Sequence, residues 1–89
     1  MTNQNVRFIV LNMPTVIQQN GFDVMIYIRD EHPPAHVHVW KAEGEVIIHL
    51  ETPAVHEVKR MSRPDVRAAL AIVEENREML LGEWRRIHG

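Results

Sequence analysis

Asp30-Glu31-His32-Pro33-Pro34-Ala35-His36-Val37-His38-Val39-Trp40 is the stretch on which the fold turns. Between His32 and His38 it holds three of the six histidines in the chain. Each proline fixes φ near −65° and lacks an N–H donor, so the approach is stiff. His32, standing before a proline, is pushed toward extended geometry. From His36 onward, histidine and valine alternate, which reads as a strand with imidazoles on one face and valines on the other.

A second strand, Glu45 to Glu51, is expected to return beside Val37 to Lys41 around a turn at Glu43-Gly44. That register sets Val39 opposite Ile48 and Val37 opposite Leu50. On the other face it sets Trp40 opposite Ile47, His38 opposite His49 and His36 opposite Glu51. A slip of one residue would mix the two faces, which burial of one side forbids. Upstream, Asn20-Gly21 is a strong hairpin signal, because a type I′ turn needs φ > 0 at both central residues. It pairs Ile17 with Val24 and Thr15 with Ile26, and puts Ile17, Phe22, Val24, Ile26 and Ile28 on the predicted core face. Val6 to Leu11 is a short apolar run compatible with a further strand, and Val55 to Arg60 with an edge strand that Lys59 and Arg60 would suit.

Ser62-Arg63-Pro64-Asp65 is a helix start: a capping hydroxyl, a proline in the first turn, and an acid at the positive helix end. Val66, Leu70, Val73, Leu80 and Trp84 then fall near one stripe, with Ala69, Arg77, Leu81 and Ile87 at its margins. Gly82 is the place where the helix is expected to bend or break. The expected fold class is therefore α+β: a small antiparallel β-sheet of two hairpins packed on one long C-terminal α-helix, in a single domain over residues 1–89.

Composition narrows the function classes. Eighty-nine residues give room for one modest core. The net charge of −2 supplies no general basic field for nucleic acid. Lys59, Arg60, Arg63 and Arg67 form a local basic group, which reads first as a solvated helix entrance and only second as a binding patch. With zero cysteines, a disulfide framework and thiolate metal sites are excluded. The N-terminal residues lack the pattern of a signal peptide, and no apolar run approaches the ~20 residues of a spanning helix. A cytoplasmic protein without a membrane segment is the expectation.

His32-Pro33-Pro34-Ala35-His36-Val37-His38-Val39 carries a resemblance. With Met13-Pro14-Thr15-Val16 before it, and Val73-Glu74-Glu75-Asn76-Arg77 and Leu80 to Trp84 after it, it resembles the bacterial domain-of-unknown-function 4160 family. Ala35 stands where many relatives carry a third proline. Family members often start at the equivalent of Met13. Residues 1–12 are therefore expected as an N-terminal extension or extra strand before a family-like domain over 13–89, with Met1 and Met13 both open as the native start. The resemblance implies a small bacterial cytoplasmic protein, often encoded beside a domain-of-unknown-function 2442 protein in a toxin–antitoxin-like gene pair. It implies no catalytic residue.

The histidines admit three readings, of which partner binding is the one favoured here and the other two are its alternatives. In the first, the chain binds a partner protein, for which the resemblance implies the domain-of-unknown-function 2442 type, through His32, Pro33, Pro34, His36, His38 and Trp40; aromatic residues are typical interface anchors. In the second, His36, His38, His49 and Glu51, with His32 and Asp30 as further candidates, hold a divalent transition metal such as zinc, since imidazole and carboxylate suit such ions. In the third, His38 and His49 are acid and base of a ribonuclease-type hydrolase, with Lys41 or Arg29 as the cation for phosphate. A domain this small also gains from self-association, with Val6 to Leu11 as the strand between copies of a homo-oligomer.

Overall fold

The computed structural model describes residues 7–9, 15–29 and 31–89, with side chains from Ile17 onward. Six strands run in chain order: β1 Arg7–Ile9, β2 Thr15–Gln19, β3 Phe22–Ile26, β4 His36–Lys41, β5 Gly44–His49 and β6 Ala54–Lys59. They form one sheet in the order β1-β2-β3-β4-β5-β6, every neighbouring pair antiparallel. Two helices follow, α1 Arg63–Glu75 and α2 Arg77–His88. The α+β class holds, while the sheet is a continuous six-stranded meander rather than two hairpins. The Val6 to Leu11 run contributes β1, which pairs with β2 of its own chain, Phe8 opposite Ile17. Asp30, Met13 and most of residues 1–12 lie outside the described residues.

The first hairpin has the expected register, Ile17 opposite Val24 and Thr15 opposite Ile26. Asn20 and Gly21 take φ of 52° and 85°, the left-handed pair that an Asn-Gly turn accommodates. The second hairpin is shifted by two residues from the expected pairing. Its turn is Ala42-Glu43, so Val39 faces Val46, Val37 faces Ile48, His38 faces Ile47 and His36 faces His49. A shift of two keeps every side chain on its expected face. Gly44 is used elsewhere: a Cβ there would overlap the carbonyl oxygen of Arg60, which packs against it from the end of β6. Close backbone approach, not turn geometry, is what requires glycine at this position.

One face of the sheet is the core. Ile17, Val24, Ile26, Val37, Val39, Val46, Ile48 and Leu50 are fully buried there, with Phe22 nearly so. Burying each such side chain contributes roughly 1.5–3 kcal/mol. Ile28, expected on this face, is exposed. The helices cover the core face with Ala69, Ile72, Val73, Leu80, Leu81 and Trp84, while Val66, Leu70 and Ile87 are packed against that core and partly buried. Ser62 caps α1, its Oγ accepting from the Asp65 N–H at 3.2 Å, and Pro64 sits in the first turn.

The single long helix of the sequence reading is two helices, and the break falls at Asn76 rather than Gly82. Asn76 leaves helical geometry at φ −109°, ψ 17°. Its side-chain amide donates to the Ile72 carbonyl (2.8 Å) and to Oε1 of the buried Gln19 (3.2 Å), whose own amide donates to Glu75. Arg77 fixes the junction from the other side, donating to the carbonyls of Leu50 and Glu51 at 2.8 and 2.6 Å. The chain passes straight through Gly82 inside α2. Among the described residues, no helix is long and apolar enough to cross a membrane.

Candidate metal centre

The opposite face of the sheet carries His36, His38 and Trp40 from β4 and Glu45, Ile47 and His49 from β5, as strand alternation requires. The segment before β4 bends back so that Glu31 reaches two of these histidines. Glu31 Oε1 lies 2.8 Å from His36 Nε2 and 2.8 Å from His38 Nε2. The outer nitrogen of each ring is also held. His36 Nδ1 lies 2.9 Å from the Pro34 carbonyl oxygen, and His38 Nδ1 lies 2.8 Å from Glu45 Oε2.

The partners assign the tautomers. A carbonyl oxygen and a carboxylate only accept, so each Nδ1 carries the hydrogen and donates. In a neutral ring that leaves Nε2 with a bare lone pair. Both such lone pairs then point at a third acceptor, Glu31 Oε1. Three acceptors at this separation repel one another unless positive charge sits among them. A proton on each ring or one metal ion supplies it.

The arrangement has the parts of a metal site. Glu31, His36 and His38 offer one ligand atom each, all within 4.8 Å of one another. The outer N–H groups are oriented by a carbonyl and a carboxylate, which is how metal-ligating histidines are commonly held. Bonds of ~2.0–2.1 Å to a tetrahedral ion would place the ligand atoms about 3.3 Å apart, so each Glu31–histidine pair, now at 2.8 Å, needs to open by only about half an ångström. The ring planes of His36 and His38 stand at 66°, which aims their edges inward rather than stacking them. Side-chain exposures of 12%, 14% and 13% for Glu31, His36 and His38 leave the group largely desolvated yet reachable.

Neighbouring aromatics fix the ligands. Tyr27 lies against His38, with ring centroids 4.6 Å apart, and Trp84 of α2 against His36 at 5.0 Å. Trp40 Nε1 donates to Tyr27 Oη at 3.0 Å. His88 at the end of α2 contacts the Tyr27 carbonyl oxygen through Nε2 at 2.8 Å. A cleft of about 340 Å³ opens over the group. His32, Pro33 and Pro34 line one part of it, His49, His56 and Glu57 another.

Of the residues singled out from sequence, His36 and His38 converge. His49 faces His36 across the strand pair and lines the cleft, but its ring stacks on His56, centroids 4.6 Å apart and planes at 23°. Glu51 is exposed beyond the end of β5, and its backbone carbonyl binds Arg77. His32, Pro33 and Pro34 are exposed, and no hydrogen bond of the His32 side chain occurs among the described residues. Lys41 is paired with Asp65 at 3.1 Å and lies over the Phe22 ring, away from the cleft lining. Arg29 is exposed and does not line the cleft.

Sequence reading missed Glu31, Glu45 and His56. Glu31 lies five residues before His36, inside the quoted stretch, so its proximity was visible while its direction was not. Glu45 follows only from the true register, which sets it opposite Trp40 and diagonal to His38. His56 is brought in by a bulge: pairing is irregular between Ile47 and Ile48, and two successive β6 residues, His56 and Glu57, consequently line the cleft.

Comparison with curated proteins and with solved structures gives no match. A family model does match, over residues 21–85, a span that takes in Glu31, the histidine strand, the β6 bulge and most of both helices. The chain accordingly belongs to the family described as Domain of unknown function (DUF4160).

Proposed function

We propose that this chain binds one divalent transition-metal ion through Glu31, His36 and His38 and acts in the cytoplasm as a metal-dependent hydrolase. The observation that carries the reading is the meeting of three acceptors, Glu31 Oε1 and the two Nε2 atoms, with both Nδ1–H groups already committed to Pro34 and Glu45. Two imidazoles and a carboxylate suit zinc, iron, cobalt or nickel, and the lack of cysteine removes thiolate competition. Three protein ligands leave a coordination position for water, whose ionisation a metal promotes. The cleft gives a substrate access to that position. Titration of untagged, metal-stripped protein with zinc tests the reading. One equivalent should bind, and Glu31→Ala and His38→Ala should each abolish tight binding; no binding by the wild-type chain would refute it.

A second reading takes the chain as the member of a bacterial toxin–antitoxin-like pair that binds a partner of the domain-of-unknown-function 2442 type. Its support is β6, the last strand of the sheet, exposed along its whole length with Val55 and Val58 at 41% and 42%. Exposed strand edges are common sites of strand addition by a partner. Co-expression of the two proteins should give one co-eluting complex that Val55→Lys weakens. Separate elution would remove this reading and leave the metal centre untouched.

A further inference from the structure

Beside the metal centre, on the same face of the sheet, lies a second hollow of about 420 Å³. It is lined by Trp40, Glu43, Glu45, Lys59 and Arg60. The two hollows meet at Glu45, which lines this one and hydrogen-bonds His38 of the other.

Arg60 is held here against its conformational preference. Its φ is 54°, a left-handed value uncommon for a long side chain outside a glycine or asparagine turn. The carbonyl of Arg60 packs on Gly44, where any Cβ would collide with it. Observed strain of this kind is a pointer to function when the surrounding structure enforces it. The guanidinium has no ion pair or hydrogen bond among the described residues, and Lys59 beside it makes only a long, exposed contact to Glu57 at 3.6 Å. Trp40 is fixed by its bond to Tyr27, which makes it a rigid aromatic surface.

We propose that this hollow binds a nucleoside phosphate unit, with the phosphate on Arg60 and Lys59 and the base against Trp40. Arginine presents a planar fork of donors suited to phosphate oxygens, lysine a compact positive charge. Aromatic side chains stack on any base. Glu43, which adds negative charge at the rim, is an acceptor for the N–H groups on the base edge. The volume is at the small end of ligand sites and fits one such unit, not several. The unit comes either from a free nucleotide or from single-stranded RNA crossing the sheet face. Its role as the substrate of the neighbouring centre rests on the metal reading above, whereas the binding does not.

The test is fluorescence anisotropy of a short fluorescein-labelled single-stranded RNA with the untagged full chain in EDTA. Saturable binding is expected, with Arg60→Ala and Lys59→Ala each weakening it about tenfold, the loss expected for a charge-assisted contact. With one phosphate neutralised by the two cations, the plot of log affinity against log salt should have a slope of about −0.7. Trp40→Ala should weaken binding at least as much; should that variant fail to fold, the two exposed cations and the salt slope still decide. Full competition by adenosine monophosphate identifies the free nucleotide as sufficient, and competition only by unlabelled RNA identifies the polymer. No saturable binding of either ligand, or affinities unchanged in both cation variants, overturns the proposal. Binding in EDTA together with failed zinc uptake would sink the metal reading alone.

Discussion

Glu45 on β5 places Oε2 2.8 Å from His38 Nδ1 and so determines which nitrogen of that ring faces Glu31. The carboxylate is buried, and among the described residues no buried side-chain nitrogen or oxygen lacks a hydrogen-bond partner. A glutamate on the far side of a histidine from its ligand atom is therefore part of the site, not of the sheet alone. Glu45→Ala should lower zinc affinity about 10–100-fold, the usual loss for such an orienting group. Glu45→Gln, which keeps an acceptor, should recover part of it. Titration calorimetry reads the affinities and circular dichroism checks the fold; equal affinity in both variants and wild type would detach Glu45 from the site.

Two glycines should respond in opposite directions to alanine. At Gly44 a Cβ meets the Arg60 carbonyl oxygen, with the Arg60 carbonyl carbon at 3.0 Å and Met61 Cα at 3.3 Å, all backbone. Overpacking against backbone costs roughly 1–3 kcal/mol, and Gly44→Ala should lose about that much stability. At Gly82, inside α2, a Cβ meets nothing within 4 Å. Gly82→Ala should gain roughly 0.5–1 kcal/mol through helix propensity. Urea unfolding midpoints measure both, and two changes of the same sign would contradict the placement of one of them.

Asn76 should be the weak point of the helical layer. Asn76→Ala removes the donor to Gln19 Oε1 and leaves that buried oxygen without this bond. An unsatisfied buried group costs roughly 1–3 kcal/mol. Urea unfolding should show a loss of that size. A variant as stable as the wild type would mean the helix break is set by Arg77 and the Leu50 and Glu51 carbonyls instead.

The faces of the sheet were legible from sequence, and the contacts between distant segments were not. Alternation over His36 to Trp40 and Glu45 to His49 assigns every side chain to the correct face, because a register error of two residues preserves parity. The same error misplaces the carboxylate. With the turn put at Glu43-Gly44, Glu51 falls opposite His36, whereas the turn at Ala42-Glu43 carries Glu51 past the end of β4 and brings Glu45 diagonal to His38. Nothing local distinguishes the two turns, since Gly44 is required by Arg60, sixteen positions away in the chain. Asn76 likewise ends α1 through Gln19 on β2, a contact spanning 57 residues. Glu31 was hidden for a different reason: the extended geometry expected before Pro33 gave no sign that its side chain returns to the histidine strand.

X-ray absorption or anomalous scattering from zinc-loaded crystals tests the central claim most directly. One ion per chain is expected, bonded to His36 Nε2, His38 Nε2 and a Glu31 oxygen at about 2.0–2.2 Å, with a water-filled position toward the cleft. An ion held instead by His49 and His56, or crystals soaked in zinc with no ion among Glu31, His36 and His38, would contradict it.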